Sequence, residues 1–523
     1  MATERLGTII ETAWERRFWQ VWAAGLLVRL VMGLILDLTP DEAYYWEFAR
    51  RPDWSYFDHP PLVGYLIALG RLLLGDTPAA VRLPAWAGIA VVSWALFAIG
   101  RDNLGSARTG FWAAAMVHLT PAGLALGFIT TPDVPLAAAW SLGSLAFLPL
   151  LTGPATDPAA PDGPRRDSGP GRSAGTGDPT RGPLSPWVLT GLALGLGAMS
   201  KYNMIFFVPG IAVTLLAFPR LRPAVGTGRF WLMVGLAALG TVPVLWWNAT
   251  HDWASLRFQF HHGFKASQRT LLSTAGEFLG GQCLTVGPLL LAVLWGVGLA
   301  RLRDAWRNGD ERRFFLAATG LPMMAFFAYT GLKSKVEANW PQVAYLTVMV
   351  LAAEWLGQGN ARSRLRWVLG TSGALTALAV LQAMTLALPL PPRSDVSTRL
   401  HGWSAMGRAL RAFDERTGGR FVFVGQGAPL TALVAFYGQL PPGRIMEAHG
   451  TGNWRFWWGD RPLPPGRDLA YVDVGHLSEA TGFLSRFQGP NASETFPIES
   501  CGRRIRAITI TTMQGSLVPI PFD

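Results

Sequence analysis

Charge is scarce in this sequence. Asp, Glu, Lys and Arg together make up 15 % of its 523 residues, where soluble domains carry about 25 %. Hydrophobic residues reach 50 % and the mean hydropathy is +0.25. That combination excludes a disordered chain and an ordinary soluble enzyme, and it reads as a polytopic membrane protein. Lysine is nearly absent, occurring only at Lys201, Lys265, Lys333 and Lys335, so the net charge of +11 is carried by arginine. Much of that arginine sits in short loops between apolar runs. This is a membrane pattern, and it excludes reading the basic balance as a nucleic-acid partner. Cysteine occurs only at Cys283 and Cys501. No disulfide framework or Cys/His metal cluster is available from those two.

Apolar runs long enough for a spanning helix fall at 18–38, 81–100, 109–128, 134–151, 187–200, 203–218, 230–247, 284–300, 314–330, 341–357 and 367–389. They predict about eleven crossings. Residues 1–17 are polar and amphipathic, and the first run is too long for a signal-peptide core. It is expected to be retained, with 1–17 cytoplasmic. Arg16 and Arg17, Arg101 and Arg108, Arg220 to Arg229, Arg301 to Arg313 and Arg362 to Arg366 then fall on the cytoplasmic side. The segments 39–80, 129–133, 248–283 and 331–340 fall on the opposite side, as do the turn at Lys201 and the tail from about residue 390.

Residues 152–186, with Arg165, Arg166, Arg172 and Arg181, are a Pro/Gly/Arg-rich stretch that cannot bury a core and reads as a disordered cytoplasmic loop. The expected division is a catalytic membrane domain over 18–390 and a small soluble α/β domain over 391–523. Phe421–Gly427, Leu469–Gly475 and Arg506–Met513 look like its strands.

Charged groups at or within a membrane are costly, so they need a reason. Thr-Pro-Asp occurs twice on the expected outer side, at Thr39-Pro40-Asp41, followed by Glu42, and at Thr131-Pro132-Asp133. Asp41, Glu42 and Asp133 suit general-base work on an acceptor hydroxyl or amine. They would equally suit a divalent cation held by oxygen ligands. The plainer reading is helix capping, since Asp after Pro often opens a helix. Lys201, Lys333 and Lys335 are the basic candidates for a donor phosphate, and Arg82 at the start of the second run is a candidate for that phosphate or for pairing with a carboxylate. Snorkelling to the interface is their plainer role. Tyr44, Tyr45, His59, His261, His262 and Lys265 are expected to contact substrate. The histidine spacings match no zinc motif, so no metal ligands are assigned. Trp454, Trp457 and Trp458 suit either an aromatic belt or sugar stacking.

The stretch DEAYYWEFARRPDWSYFDHPPLVGYL over 41–66, followed by VRLPAW over 81–86, resembles the first outer loop of bacterial glycosyltransferase family 39 proteins. These are relatives of protein O-mannosyltransferases and of lipid A aminoarabinose transferases. TPDVPL (131–136), SKYN (200–203), NATHDWASLRFQ (248–259) and KVEANWP (335–341) resemble further segments of that family. The resemblance covers roughly residues 18–360. It implies a GT-C fold and an inverting enzyme. Such an enzyme moves a sugar from a polyprenyl-phosphate donor to a glycan, lipid or protein acceptor on the periplasmic face of a bacterial inner membrane. By the same resemblance Asp41 is the general base, and Asp133 and Lys201 match family positions. His59-Pro60-Pro61 stands where aminoarabinose transferases tend to have Lys-Pro-Pro, which argues against simply naming that sugar. The resemblance demands no cofactor, and a divalent cation stays open. A lipid-linked sugar flippase would share the spans and basic groups, but it predicts inverted repeats and none is evident.

Overall fold

A computed structural model describes residues 2–152, 180–264, 270–358, 361–448, 452–458, 468–474 and 487–516. Most of the low-complexity stretch, 153–179, lies outside the described residues. The chain divides into two compact units. One comprises Met1–Leu30, Ala85–Phe128 and Pro132–Ala377; the other comprises Val31–Pro84, Ile129–Thr131 and Leu378–Asp523.

The first unit is helical. Five described helices of the chain are long and apolar enough to cross a membrane: Ile10–Ile35, Pro78–Asn103, Asp133–Leu150, Glu311–Lys333 and Arg362–Thr385. Two bent pairs raise the number to seven: Gly228–Leu239 with Val242–Thr250, and Leu271–Val286 with Pro288–Asn308. Each apolar run read from the sequence meets a helix, but several are cut short. Thr120 caps a new helix with Pro121 in its first turn, which splits the run at 109–128. The turn expected at Lys201 is present: Lys201 adopts an extended conformation between Ser185–Ala198 and Tyr202–Phe206. Gly287, at φ 99°, joins two helices bent by 99°, a backbone conformation that suits glycine.

Close helix approach depends on glycine here. A Cβ on Gly240 would lie 2.2 Å from the carbonyl oxygen of Gly195, and one on Gly191 would lie 2.6 Å from that of Met233. Small residues at such crossings let backbones meet in a lipid environment. Aromatic edges fill the interior, as where Trp140 meets Phe207 at 4.9 Å between ring centroids. The arginine loops converge at one end of this unit. Arg220 pairs with Glu311, and Glu311 also accepts the backbone N–H of Thr152. Arg312 donates to the carbonyls of Leu151 and Asn103, and Arg313 pairs with Glu354 and Asp310. Loops read as sharing one side therefore meet.

The second unit is a mixed sheet with helices. Its strands are β1 (Val422–Gly425), β2 (Ile445–Glu447), β3 (Leu469–Asp473), β4 (Phe487–Ser500) and β5 (Arg503–Ser516), in the order β2-β1-β3-β5-β4. β1 runs parallel to β2 and β3, with Val424 opposite both Met446 and Tyr471. β5 runs antiparallel to β3 and β4. The three strands read from the sequence fall on β1, β3 and β5. β2 is three residues long, and β4 is an edge strand carrying Pro497, a residue that edges tolerate; neither pattern announces a strand.

This unit extends beyond residues 391–523, because helix Pro40–Arg50 shares its core. Trp46 stands edge-on to Phe436 at 4.9 Å. Ala43, Phe48, Leu433, Ile445 and Ile510 are almost fully buried together. The backbone N–H of Leu38 donates to the hydroxyl of Tyr437 at 2.7 Å.

Candidate functional site

Helix Pro40–Arg50 opens with a complete capping box. The Thr39 hydroxyl accepts from the Glu42 backbone N–H at 3.2 Å, and the Glu42 carboxylate accepts from the Thr39 backbone N–H at 2.9 Å. Pro40 occupies the first turn. This is how the local sequence sets the helix start, and it sends the two adjacent carboxylates to different places.

Glu42 is fully buried and ion-paired with Arg82, also fully buried. Arg82 Nε and Nη2 lie 3.0 and 3.1 Å from the two Glu42 carboxylate oxygens. Its remaining donors reach the carbonyls of Gly33 (2.8 Å), Leu36 (2.7 Å) and Asp37 (2.6 Å). Of the two partners expected for Arg82, a carboxylate or a phosphate, it takes the carboxylate, and that pair holds Glu42 inside the fold rather than towards an acceptor. Asp41, on the same turn, has a half-exposed carboxylate, with Arg399 Nη2 3.3 Å from Oδ2.

Tyr44 is likewise turned inward, against the expectation that it touches substrate. Its hydroxyl donates to Asp58 and accepts from the Asn453 side-chain amide at 2.8 Å. Asn453 Oδ1 in turn accepts from the Phe57 N–H at 2.7 Å. Tyr45 is buried against His59, with ring centroids 5.7 Å apart. Trp454 is wholly buried, which rules out both belt and stacking roles for it. Trp457 is partly buried, and Arg51 lies over both rings, 5.1 and 4.7 Å from their centroids. The Trp458 side chain lies outside the described residues.

Burial pushes the Asp58 carboxyl up from 3.8 to about 6, against the pull of the Tyr44 hydroxyl. Glu47 is raised too, by burial, although Arg51 and Arg50 draw it down. The folded state then holds a proton between about pH 4 and 6 that the unfolded chain has released. Stability is expected to fall as pH rises through that window and to level off above it, by on the order of 2–3 kcal/mol for Asp58. Thermal melts of Asp58→Asn across pH 4 to 7 should show a shallower slope than wild type.

In the first unit, Asp133 opens helix Asp133–Phe147 and Lys201 sits in the extended break before Tyr202. Lys201 Nζ lies 2.7 Å from Asp133 Oδ1, and both residues are buried. The Asn339 side-chain amide donates to Asp133 Oδ2 at 2.8 Å. Asp133, Asn339, Thr120, Gly123, Gln342 and Tyr345 line one small cavity. Lys335 pairs with Glu337 at 2.8 Å on the surface, and Lys333 lies 4.2 Å from the Tyr329 ring centroid. Lys265 and the side chains of His261 and His262 lie outside the described residues. Among the described residues no group of three His, Cys, Asp or Glu side chains is placed to hold a metal.

Asn339 and Arg399 escape a reading of the sequence. Asn339 stands in the KVEANWP stretch, but an amide carries no chemical signature. Arg399 is 358 positions from Asp41, beyond any local spacing rule.

Residues 58–155 and 180–247 match the family model described as dolichyl-phosphate-mannose-protein mannosyltransferase. A lipid A galacturonosyltransferase of Rhizobium johnstonii is 27 % identical over 322 residues, covering 61 % of this chain and 60 % of that protein. An undecaprenyl phosphate-alpha-4-amino-4-deoxy-L-arabinose arabinosyl transferase of Pectobacterium carotovorum is 26 % identical, covering 68 % of this chain and 62 % of that protein. The chain thus aligns with about three fifths of the length of these curated relatives. The crystal structure of ArnT from Cupriavidus metallidurans bound to undecaprenyl phosphate superposes with a TM-score of 0.62 at 16 % identity, covering 96 % of this chain and 98 % of that one. At that identity the likeness establishes the fold. In motifs, partial family match and curated relatives the chain is similar to the glycosyltransferase family 39 proteins, and it shares the fold of ArnT.

Proposed function

We propose that this protein transfers a sugar from a polyprenyl-phosphate-linked donor to an acceptor at the periplasmic face of a bacterial inner membrane. The acceptor class is an envelope glycan or lipid such as lipid A, with a protein as the further alternative. The observation that carries the reading is the split fate of two adjacent carboxylates: Glu42 is buried and paired, while Asp41 keeps a half-exposed carboxylate on a firmly capped turn. Similarity to a lipid A galacturonosyltransferase supports lipid A as acceptor, and similarity to an undecaprenyl phosphate-alpha-4-amino-4-deoxy-L-arabinose arabinosyl transferase supports a polyprenyl-phosphate donor.

The acceptor oxygen or nitrogen attacks the anomeric carbon. Its proton goes to the Asp41 carboxylate, and the carbon–oxygen bond to phosphate breaks with inversion. The electron pair leaves on the polyprenyl phosphate. Glu42 and Arg82 position the turn that carries Asp41. Lys201 is assigned, on its chemistry, to the charge that develops on the leaving phosphate. An ammonium has three N–H donors, and the bond to Asp133 uses one. Asp133 and Asn339 then orient Lys201. The chain is expected to cross the membrane about eleven times when its shorter apolar helices are counted with the long ones.

Stereochemistry tests the mechanism. The product anomer, read by NMR, should be opposite to the donor anomer; retention would contradict a single displacement. Lys201→Ala is expected to lower kcat/KM by about 10²–10³-fold, the usual effect of removing one donor to a developing anion. Transfer at the wild-type rate by a folded Lys201→Ala protein would remove Lys201 from the reaction.

A further inference from the structure

We propose that Arg399 is an anion-recognising residue of the transfer site, its guanidinium binding the charged head of the substrate that Asp41 serves. The inference rests on the reading of Asp41 given above. Arg399 Nη2 is 3.3 Å from Asp41 Oδ2, and the side chains are 51 % and 49 % exposed. The neighbouring Glu42–Arg82 pair is fully buried. An open pair such as Asp41–Arg399 adds little to the stability of a fold.

The backbone under Arg399 is nevertheless fastened from several directions. The Asp395 carboxylate accepts from the Ser397 N–H at 3.0 Å and from the Gln382 side-chain amide at 2.7 Å. The Thr398 hydroxyl donates to the carbonyls of Pro392 (3.0 Å) and Asp395 (2.8 Å), and Arg506 donates to the Thr398 carbonyl. Arg506 also lies 3.8 Å from the centroid of the Trp403 ring, whose Nε1–H donates to the Arg399 carbonyl at 2.7 Å. Asp37 ties the turn to the start of helix Pro40–Arg50: its N–H donates to the Leu400 carbonyl at 3.0 Å, and its carboxylate accepts the Trp403 N–H at 2.8 Å.

A rigid turn therefore delivers an exposed cation to the one carboxylate read as the base. A guanidinium carries five N–H donors. The contact with Asp41 uses Nη2, which leaves donors in a planar fork suited to a pair of anionic oxygens. Two substrate groups offer that chemistry: the donor phosphate, and a carboxylate on an acidic sugar.

The test uses the full chain in lipid nanodiscs. Arg399→Gln and Arg399→Lys are compared with wild type on two polyprenyl-phosphate donors, one with a neutral sugar and one with a carboxylate-bearing sugar. Arg399→Gln is expected to raise KM about 10- to 100-fold, the loss of a charge-assisted hydrogen bond, with kcat little changed. A rise with both donors identifies the phosphate as the group bound; a rise with the acidic donor alone identifies the sugar carboxylate. Arg399→Lys should recover only part of the loss. An unchanged KM overturns the inference, and so does a lower kcat with a displaced pH profile, because Arg399 would then act only on Asp41. A wild-type protein that turns over neither donor overturns the underlying reading and this inference with it; an active wild type matched by Arg399→Gln overturns this inference alone.

Discussion

Asp41→Asn is expected to lower sugar transfer by about 10²–10⁴-fold, the range a positioned general base contributes, while the protein still folds. Asn keeps the shape of Asp in the first turn of helix Pro40–Arg50 and loses only the charge. That charge has a small structural role. It adds an exposed pairing with Arg399 and a favourable interaction with the helix N-terminus, together worth about 1 kcal/mol. The capping box does not depend on it, because Thr39 and Glu42 make both of its hydrogen bonds. Rate and thermal stability should therefore separate. Transfer measured on labelled donor should collapse, and the melting temperature should move by a few degrees at most. Full transfer by a folded Asp41→Asn protein would end the proposal that Asp41 is the base.

Glu42→Gln should behave in the opposite way. Removing one partner of a buried ion pair costs about 3–5 kcal/mol, because the other charge is left uncompensated. Here that charge is Arg82, with no exposure to water. The pair also fixes three backbone carbonyls, those of Gly33, Leu36 and Asp37. Replacing both Glu42 and Arg82 with methionine should not restore stability as it does for simpler buried pairs, because those carbonyls would lose their donors. Thermal unfolding and limited proteolysis in detergent measure this. A Glu42→Gln protein as stable as wild type, but inactive, would contradict the structural assignment and return Glu42 to the chemistry.

The contrast between residues 41 and 42 shows what the sequence could and could not carry. Thr-Pro-Asp-Glu announces a capped helix start and a concentration of acid, and both are present. Which acid faces outward depends on Arg82, forty positions away, and no spacing rule reaches that far. The same limit applies to Tyr44. It is chemically suited to touch a sugar, yet it is enclosed by Asp58 and by Asn453, which comes from 409 positions later in the chain. The membrane architecture was more legible, because apolar runs with arginine between them are a strong local signal. The break at Lys201 is legible as well, and where spans are cut the cause is local: Thr120 before Pro121 and the left-handed Gly287. In the tail, the buried parallel strands β1 and β3 stood out as short apolar runs. The joining of that tail with residues 31–84 in one compact unit rests on contacts such as Trp46 on Phe436, which composition does not encode.

The most direct test of the account is donor turnover by purified wild-type protein in vesicles. Polyprenyl-phosphate sugars labelled in the sugar would be supplied with lipid A acceptor, with and without a chelator, beside Asp41→Asn. The account predicts that label moves from the polyprenyl lipid to the acceptor, that polyprenyl phosphate is released in equal amount, and that Asp41→Asn abolishes both. Faster movement of intact labelled lipid across the vesicle wall, with no sugar released from any donor, would contradict it and mark the protein as a carrier of lipid-linked sugars.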